Sequence, residues 1–184
     1  MNFWQGDKIR VRAVEPSDWE HFYLCNLVSE RGAHLDFLWP PISKELVKKD
    51  TERDSLYRME NDIFKGVIEN LKGEIVGSID THHIDRRVGV FSYGIAVDNL
   101  HQRNGYASEA IVLILKYYFE ELRYQKCNVE VHSNNASSIV LHEKLGFKQE
   151  GRIRNTVFTQ GQYSDSLWYG LTLEEWKQRG ITQS

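Results

Sequence analysis

The chain is poor in cysteine, proline, long apolar runs and charge of one sign. Its two cysteines, Cys25 and Cys127, cannot build a disulfide framework, so a reducing compartment, the cytoplasm, is expected. Its three prolines, Pro16, Pro40 and Pro41, form no Pro/Gly/Ser-rich linker, so one domain over residues 1–184 is the economical reading. No apolar run approaches the ~20 residues that cross a membrane. The opening MNFWQGDKIRVR also lacks the apolar centre of a secretion signal. Net charge is −3 with acids and bases interspersed, which leaves neither a basic face for nucleic acid nor an acidic arm.

What is present is periodic. KIRVRAV (8–14) alternates as a half-buried strand does, and EPSDWEHFYLCNLVSE (15–30) follows as a helix with Pro16 in its first turn. LDFLWPPI (35–42) reads as an irregular apolar loop, and a polar helix is predicted from about Ser43 to Asn61. IFKGVIE and EIVGSIDTHHI read as strands joined by the turn NLKG, and VGVFSYGIAV (88–97) as a central strand. Ala107, Ala110, Ile111, Ile114, Leu115, Tyr118 and Leu122 recur at helical spacing. CNVEVHS is a strand. NASSIVLHEKLG is a helix, with Asn135 as N-cap and Gly146 as the glycine past its end. FKQEGRIRNTVF and YSDSLWYGLTL close the chain as a strand pair. The order predicts an α/β fold with a mixed sheet, in which the helix from Gly105 crosses between neighbouring strands.

Between the strand at 88–97 and that helix lies HQRNGYASEA. A helix N-terminus carries unpaired N–H groups and about half a positive charge, which attracts phosphate. Gly105 lets backbone approach an anion, Ala107 is small, and Gln102 and Arg103 add donors. A polar turn is the plain alternative. The P-loop ending and the dinucleotide fingerprint are both absent, which disfavours nucleoside triphosphates and nicotinamide.

IAVDNLHQRNGYASEA resembles the acyl-CoA motif of the GNAT superfamily of N-acetyltransferases, Gln/Arg-x-x-Gly-x-Gly/Ala. NNASSIVLHEKLGFKQEGRIR is similar to that family's second motif. IRVRAVEPSD and GQYSDSLWYGLTLEEW resemble the RimJ/RimL-like branch, the ribosomal-protein alanine N-acetyltransferases. The resemblance implies a mostly antiparallel sheet with splayed central strands flanked by helices. It implies acetyl-CoA as cosubstrate and a primary amine, a protein N-terminus or a small molecule, as acceptor. It further implies that Ile95, Ala96 and Val97 hold the pantetheine arm. The backbone from Gln102 through Arg103, Asn104, Gly105, Tyr106 and Ala107 to Ser108 would then hold the pyrophosphate. Asn135 would touch the cofactor or only cap its helix.

An alkylammonium with a pKa near ~10.4 must lose a proton before it attacks, and the departing thiolate gains from an acid. His142 stands where many members carry Tyr and is the candidate acid. Ser92 stands where many carry Glu and could order a water; Asp165 and His132 are rival bases. Alternation would place Ser92, Gly94 and Ala96 on one face and Tyr93, Ile95 and Val97 on the other. His82 and His83 would point to opposite faces, and no Cys or carboxylate array completes a zinc set, so no metal is expected. Cys25 and Cys127 read as small core residues. Phe37 and Trp39 are expected to line the acceptor pocket. Three alternatives stay open: a catalytically silent acyl-CoA sensor, an antibiotic acetyltransferase, or a polyamine acetyltransferase using Glu15, Asp18, Glu20 and Glu30. A homo-oligomer through the closing strands also stays open; nucleic-acid and membrane partners are not expected.

Overall fold

Alternation in IRVR buries Ile9 and Val11 and turns Arg10 and Arg12 outward, giving a first strand, β1 (Ile9–Arg12). The computed structural model describes residues 2–27 and 40–180. After β1, a single 3₁₀ turn at Pro16–Asp18 runs into α1 (Trp19–Asn26), and Ser43 caps α2 (Lys44–Ser55). Three antiparallel strands follow, β2 (Lys65–Asn70), β3 (Ile75–Asp85) and β4 (Val90–Val97). Then come α3 (Tyr106–Lys116), β5 (Lys126–His132), α4 (Ala136–Lys144), β6 (Lys148–Thr159), β7 (Gln162–Thr172) and α5 (Leu173–Gln178). The sheet order is β1-β2-β3-β4-β5-β7-β6, and β4–β5 is its one parallel pairing among the described residues. The expected α/β architecture is therefore present.

One face of the sheet carries Phe91, Tyr93, Cys127, Val129, Val131, Leu167, Tyr169 and Leu171, all in the main core. Over it lies α3, whose Ala110, Ile111, Ile114 and Leu115 have no exposed surface. Trp176 of α5 is equally buried against Phe119. On the other face, Glu69 of β2 takes hydrogen bonds from Arg10 and Arg12, and Arg12 also grips Asp18 at 2.7 Å. Burial alone would raise the Glu69 pKa, but the two guanidinium groups hold it below the ordinary carboxylate value. This cluster fastens the start of α1 to the first strands.

Four expectations need correction. The helix from Ser43 stops at Ser55 rather than Asn61: Leu56 is 83% exposed, so nothing rewards another turn, and Asn61 and Asp62 take left-handed backbone. The helix expected to run through Leu122 widens into a π turn at Tyr117–Glu121, which stacks Tyr118 on Phe91 at 4.2 Å. The α5 helix was not expected, although Thr172 and Glu175 form a reciprocal capping box. His82 and His83 do not point apart. A register shift with φ +47° at His83 breaks the alternation, and their rings meet edge to face at 4.8 Å. Glu30, Phe37 and Trp39 lie outside the described residues. Among those described, no helix is long and apolar enough to cross a membrane.

β3 and β4 approach unusually closely at one point. A Cβ placed on Gly77 would lie 2.1 Å from the carbonyl oxygen of Ala96. We expect Gly77→Ala to lower stability by about 1–3 kcal/mol through overpacking. Urea unfolding checks it, with the midpoint falling and the slope unchanged.

Candidate active site

The parallel pairing of β4 with β5 covers Val90↔Lys126, Phe91↔Cys127 and Ser92↔Asn128, and then ends. Beyond Ser92, β4 remains bonded to β3 as far as Val97, and β5 to β7 as far as His132. The two strands therefore diverge into an open wedge with Ser92 at its vertex. Successive residues turn their backbone groups to alternate edges of a strand. The N–H of Asp98 bonds the Val76 carbonyl at 2.9 Å, on the β3 side. The groups of Ala96 and Gly94 therefore also face β3, while those of Tyr93, Ile95 and Val97 face the wedge. Of the three β4 residues expected to hold the arm, Ile95 and Val97 turn their backbone groups toward the wedge, and Ala96 lies against Gly77.

At the end of the wedge stands the N-terminus of α3. Arg103 and Gly105 both adopt left-handed backbone, with φ +63° and +84°. That alternation turns successive amides to one side, as in an anion nest. No side chain caps α3. Among the described residues the amides of Arg103 through Ser108 donate to no protein acceptor. The side chains of Gln102 and Asn104 are spent on the loop, on Asn99 (3.0 Å) and on the His101 carbonyl (3.1 Å). Lys8, which sequence reasoning missed, sets its ammonium on the Asn104 carbonyl at 3.0 Å and adds positive charge beside the nest. An open amide nest, a helix N-terminus and a lysine suit a diphosphate. Unbonded β4 backbone groups suit an amide-bearing arm. The chain's own geometry therefore fits acetyl-CoA.

His142 is placed differently from expectation. It is 3% exposed, between the rings of Tyr93 (6.0 Å), Phe147 (5.3 Å) and Tyr169 (6.4 Å). Its Nδ1 lies 2.7 Å from the Ser138 carbonyl, which can only accept, so Nδ1 carries the proton. Nε2 is buried without a partner among the described residues, as is the Tyr93 hydroxyl. Burial outweighs the bond to Ser138 and lowers the pKa below the ordinary 6.5. The expected imidazolium donor is thus corrected to a neutral, buried ring.

The remaining candidates divide. Asn135 caps α4, its Oδ1 accepting from the Ser138 amide at 3.0 Å. Asp165 is held by Arg152 (2.5 Å) and the Asn155 amide (2.9 Å). The Asn155 bond and then Arg152 lower its pKa, so it pins the closing hairpin and makes a poor base. Its neighbour Ser133 helps to line a cleft of about 470 Å³ between the end of β5 and the hairpin tip. His132 pairs with Ser166 at the end of β5. Sequence reasoning missed Asp80. It stands opposite Gly94, where a Cβ would lie 3.2 Å from Asp80 Oδ1, and His82 pairs opposite Ser92. His82 Nδ1 and Asp80 Oδ2 are 3.6 Å apart and both side chains are partly exposed. The missing side chain of Gly94 was the available signal.

The comparisons with known proteins decide the family. The acetyltransferase (GNAT) domain family matches residues 8–148. The chain belongs to the GNAT acetyltransferases. It is 37% identical over 177 residues, 96% of this chain and 97% of the relative, to the SPbeta prophage-derived uncharacterized N-acetyltransferase YokL of Bacillus subtilis. It is 26% identical over 181 residues, 94% of this chain and 95% of the relative, to YdaF of the same organism, provisionally named a ribosomal N-acetyltransferase. Among solved structures, spermidine N-acetyltransferase from Vibrio cholerae in complex with CoA and spermine superposes with a TM-score of 0.80. That pair covers 92% of this chain and 98% of that one at 21% identity, which bears on the fold alone. The fold is that of the GNAT acetyltransferases, and the chain is an acetyl-transferring enzyme.

For His142 we expect an NMR titration midpoint below 6.5. Because the folded value is depressed, its contribution to stability is full above the unfolded value near ~6.5. It is lost as pH falls through the folded value. His142→Gln should flatten that part of the acid profile.

Proposed function

We propose that this GNAT enzyme moves an acetyl group from acetyl-CoA directly to a primary amine on a protein N-terminus or a small molecule, as in the RimJ/RimL-like branch. The observation that carries the reading is the wedge of unpaired β4 backbone groups leading to an uncapped helix N-terminus. When bound, acetyl-CoA supplies a thioester whose carbonyl carbon the amine attacks. The wedge-facing amides of Ile95 and Val97 stabilise negative charge on the thioester oxygen, an effect worth several kcal/mol in comparable oxyanion sites, about 2.7–4 per donor. The amides from Arg103 to Ser108, with Lys8, hold the pyrophosphate, and Gly105 keeps the approach clear.

The amine must arrive neutral. Asp80, with His82 beside it, stands on the face that Ser92 and Gly94 leave open. It takes the ammonium proton directly or through a water ordered by Ser92. The Tyr93 hydroxyl, on the first β4 residue beyond the vertex, bears a proton at every physiological pH, since burial raises its pKa. It donates a hydrogen bond to the leaving sulfur, and the proton that the nitrogen sheds as the C–N bond forms and the C–S bond breaks goes to that thiolate. Cys127, fully buried with its pKa pushed up, takes no acetyl group.

We rank a single amine ahead of a polyamine because one of the acids expected for a polycation is already committed. A polycation needs an uncommitted carboxylate cluster. Of the acids expected for that role, Asp18 is 4% exposed and bound to Arg12, Glu15 and Glu20 are exposed, and Glu30 lies outside the described residues. The spermidine N(1)-acetyltransferase of Escherichia coli, 29% identical, aligns over 96 residues, 52% of this chain.

The test is release of free thiol from acetyl-CoA against alanine- and serine-starting peptides, aminoglycosides and polyamines. We expect turnover with the peptides or with a small monoamine. Gly105→Glu should abolish it, and the milder Gly105→Ala should weaken acetyl-CoA binding because φ +84° strains any L side chain. Tight binding by calorimetry without turnover on any amine would support a silent sensor instead.

A further inference from the structure

α1 and the end of β4 meet at a cluster that the transfer reaction does not use. His21 and Cys25 are four residues apart on α1, so their side chains share one face. Asp98 follows directly on Val97, the last residue of β4. His21 Nε2 lies 3.1 Å from Asp98 Oδ2 and 3.4 Å from Cys25 Sγ, and Cys25 Sγ lies 3.6 Å from Asp98 Oδ1. All three donors fall within 4.8 Å of one another, and each residue is half-buried. Cys25, expected in the core, is instead in contact with two metal-ligating side chains.

These separations match the edges of a coordination tetrahedron. With metal–nitrogen and metal–oxygen bonds of about 2.0–2.1 Å and metal–sulfur bonds of about 2.3 Å, neighbouring donors stand roughly 3.3–3.6 Å apart. We propose that His21 Nε2, Cys25 Sγ and the Asp98 carboxylate form a three-donor binding site for a divalent transition metal of the zinc class, with water as the fourth ligand, which ties α1 to the end of β4.

The donor chemistry selects the ion. A thiolate with an imidazole favours Zn²⁺ or Co²⁺, whereas Mg²⁺ and Ca²⁺ require oxygen donors. Binding requires the free imidazole nitrogen of His21 and the thiolate of Cys25, so uptake of the ion releases protons to solution. Thiolate and carboxylate together then balance its charge. The three donors bridge α1 and the end of β4, so the ion positions α1 beside the wedge, and the site stands independently of the reading of the acceptor.

The test is a Co²⁺ titration of the full chain, first stripped of metal and CoA. We expect one ion per chain, a thiolate-to-cobalt charge-transfer band in the near ultraviolet, and the strong visible bands of a four-coordinate ion. Added Zn²⁺ should abolish all of them. Cys25→Ser should remove the charge-transfer band, and Asp98→Asn should weaken binding by about tenfold or more, as loss of a metal-orienting group does. Absence of the band, or a band that persists in Cys25→Ser, overturns the proposal. If a variant fails to fold, iodoacetamide labelling of the unaltered chain decides, read at the Cys25 peptide by mass spectrometry. Zn²⁺ should slow it at least tenfold, and equal rates with and without Zn²⁺ overturn the proposal.

Discussion

The structure turns on where β4 and β5 stop bonding. Three residue pairs hold the parallel register, and beyond Ser92 each strand keeps its outer neighbour but loses the other. A half-buried backbone donor or acceptor left unmatched costs on the order of 1–3 kcal/mol. A sheet that leaves several in a row needs something to satisfy them. The odd-numbered groups of β4 therefore line a slot that leads to the uncapped start of α3. In the proposed reading, donor recognition follows from a defect in strand pairing more than from any side chain.

Around the slot, contacts from distant parts of the chain hold its walls. Gly77 lets β3 run close enough to fix Ala96. Lys8, a residue before β1, steadies the loop at Asn104, and Glu109 of α3 accepts the Lys8 amide at 3.0 Å. Below, the neutral His142 ring and Tyr93 fill the space under α4 with aromatic surface. With His at the position where many members carry Tyr, the phenol hydroxyl left without a partner in this buried floor, among the described residues, is that of Tyr93. On the other side of β4, α1 is fastened twice, by Asp18 to Arg12 and by His21 to Asp98.

Local signals carried most of the architecture. Alternation in IRVR, the helical period after Gly105, the cap at Asn135 and the left-handed Gly146 each depend on neighbours within a few residues. They were legible for that reason. On its own residues HQRNGYASEA reads as an anion site or as a polar turn; the left-handed backbone at Arg103 and Gly105 and the uncapped start of α3 depend on how the chain folds there. The losses came where distant residues decide. The π turn answers to Phe91, and the early stop of α2 answers to the absence of anything for Leu56 to bury against. Asp80 became visible only once the register placed it opposite Gly94. His21 and Cys25 had chelating spacing on their own helix, but Asp98 lies 73 residues further on.

The central claim is that acetyl-CoA is held by backbone groups that the diverging strands leave unpaired. Amide hydrogen exchange, resolved by residue and measured with and without CoA, tests it most directly. The account predicts new protection at Ile95, Val97 and Arg103 through Ser108, with Ala96 unchanged because it is already paired with Ser78 of β3. Protection elsewhere, or equal protection at Ala96 and its two neighbours, would contradict it.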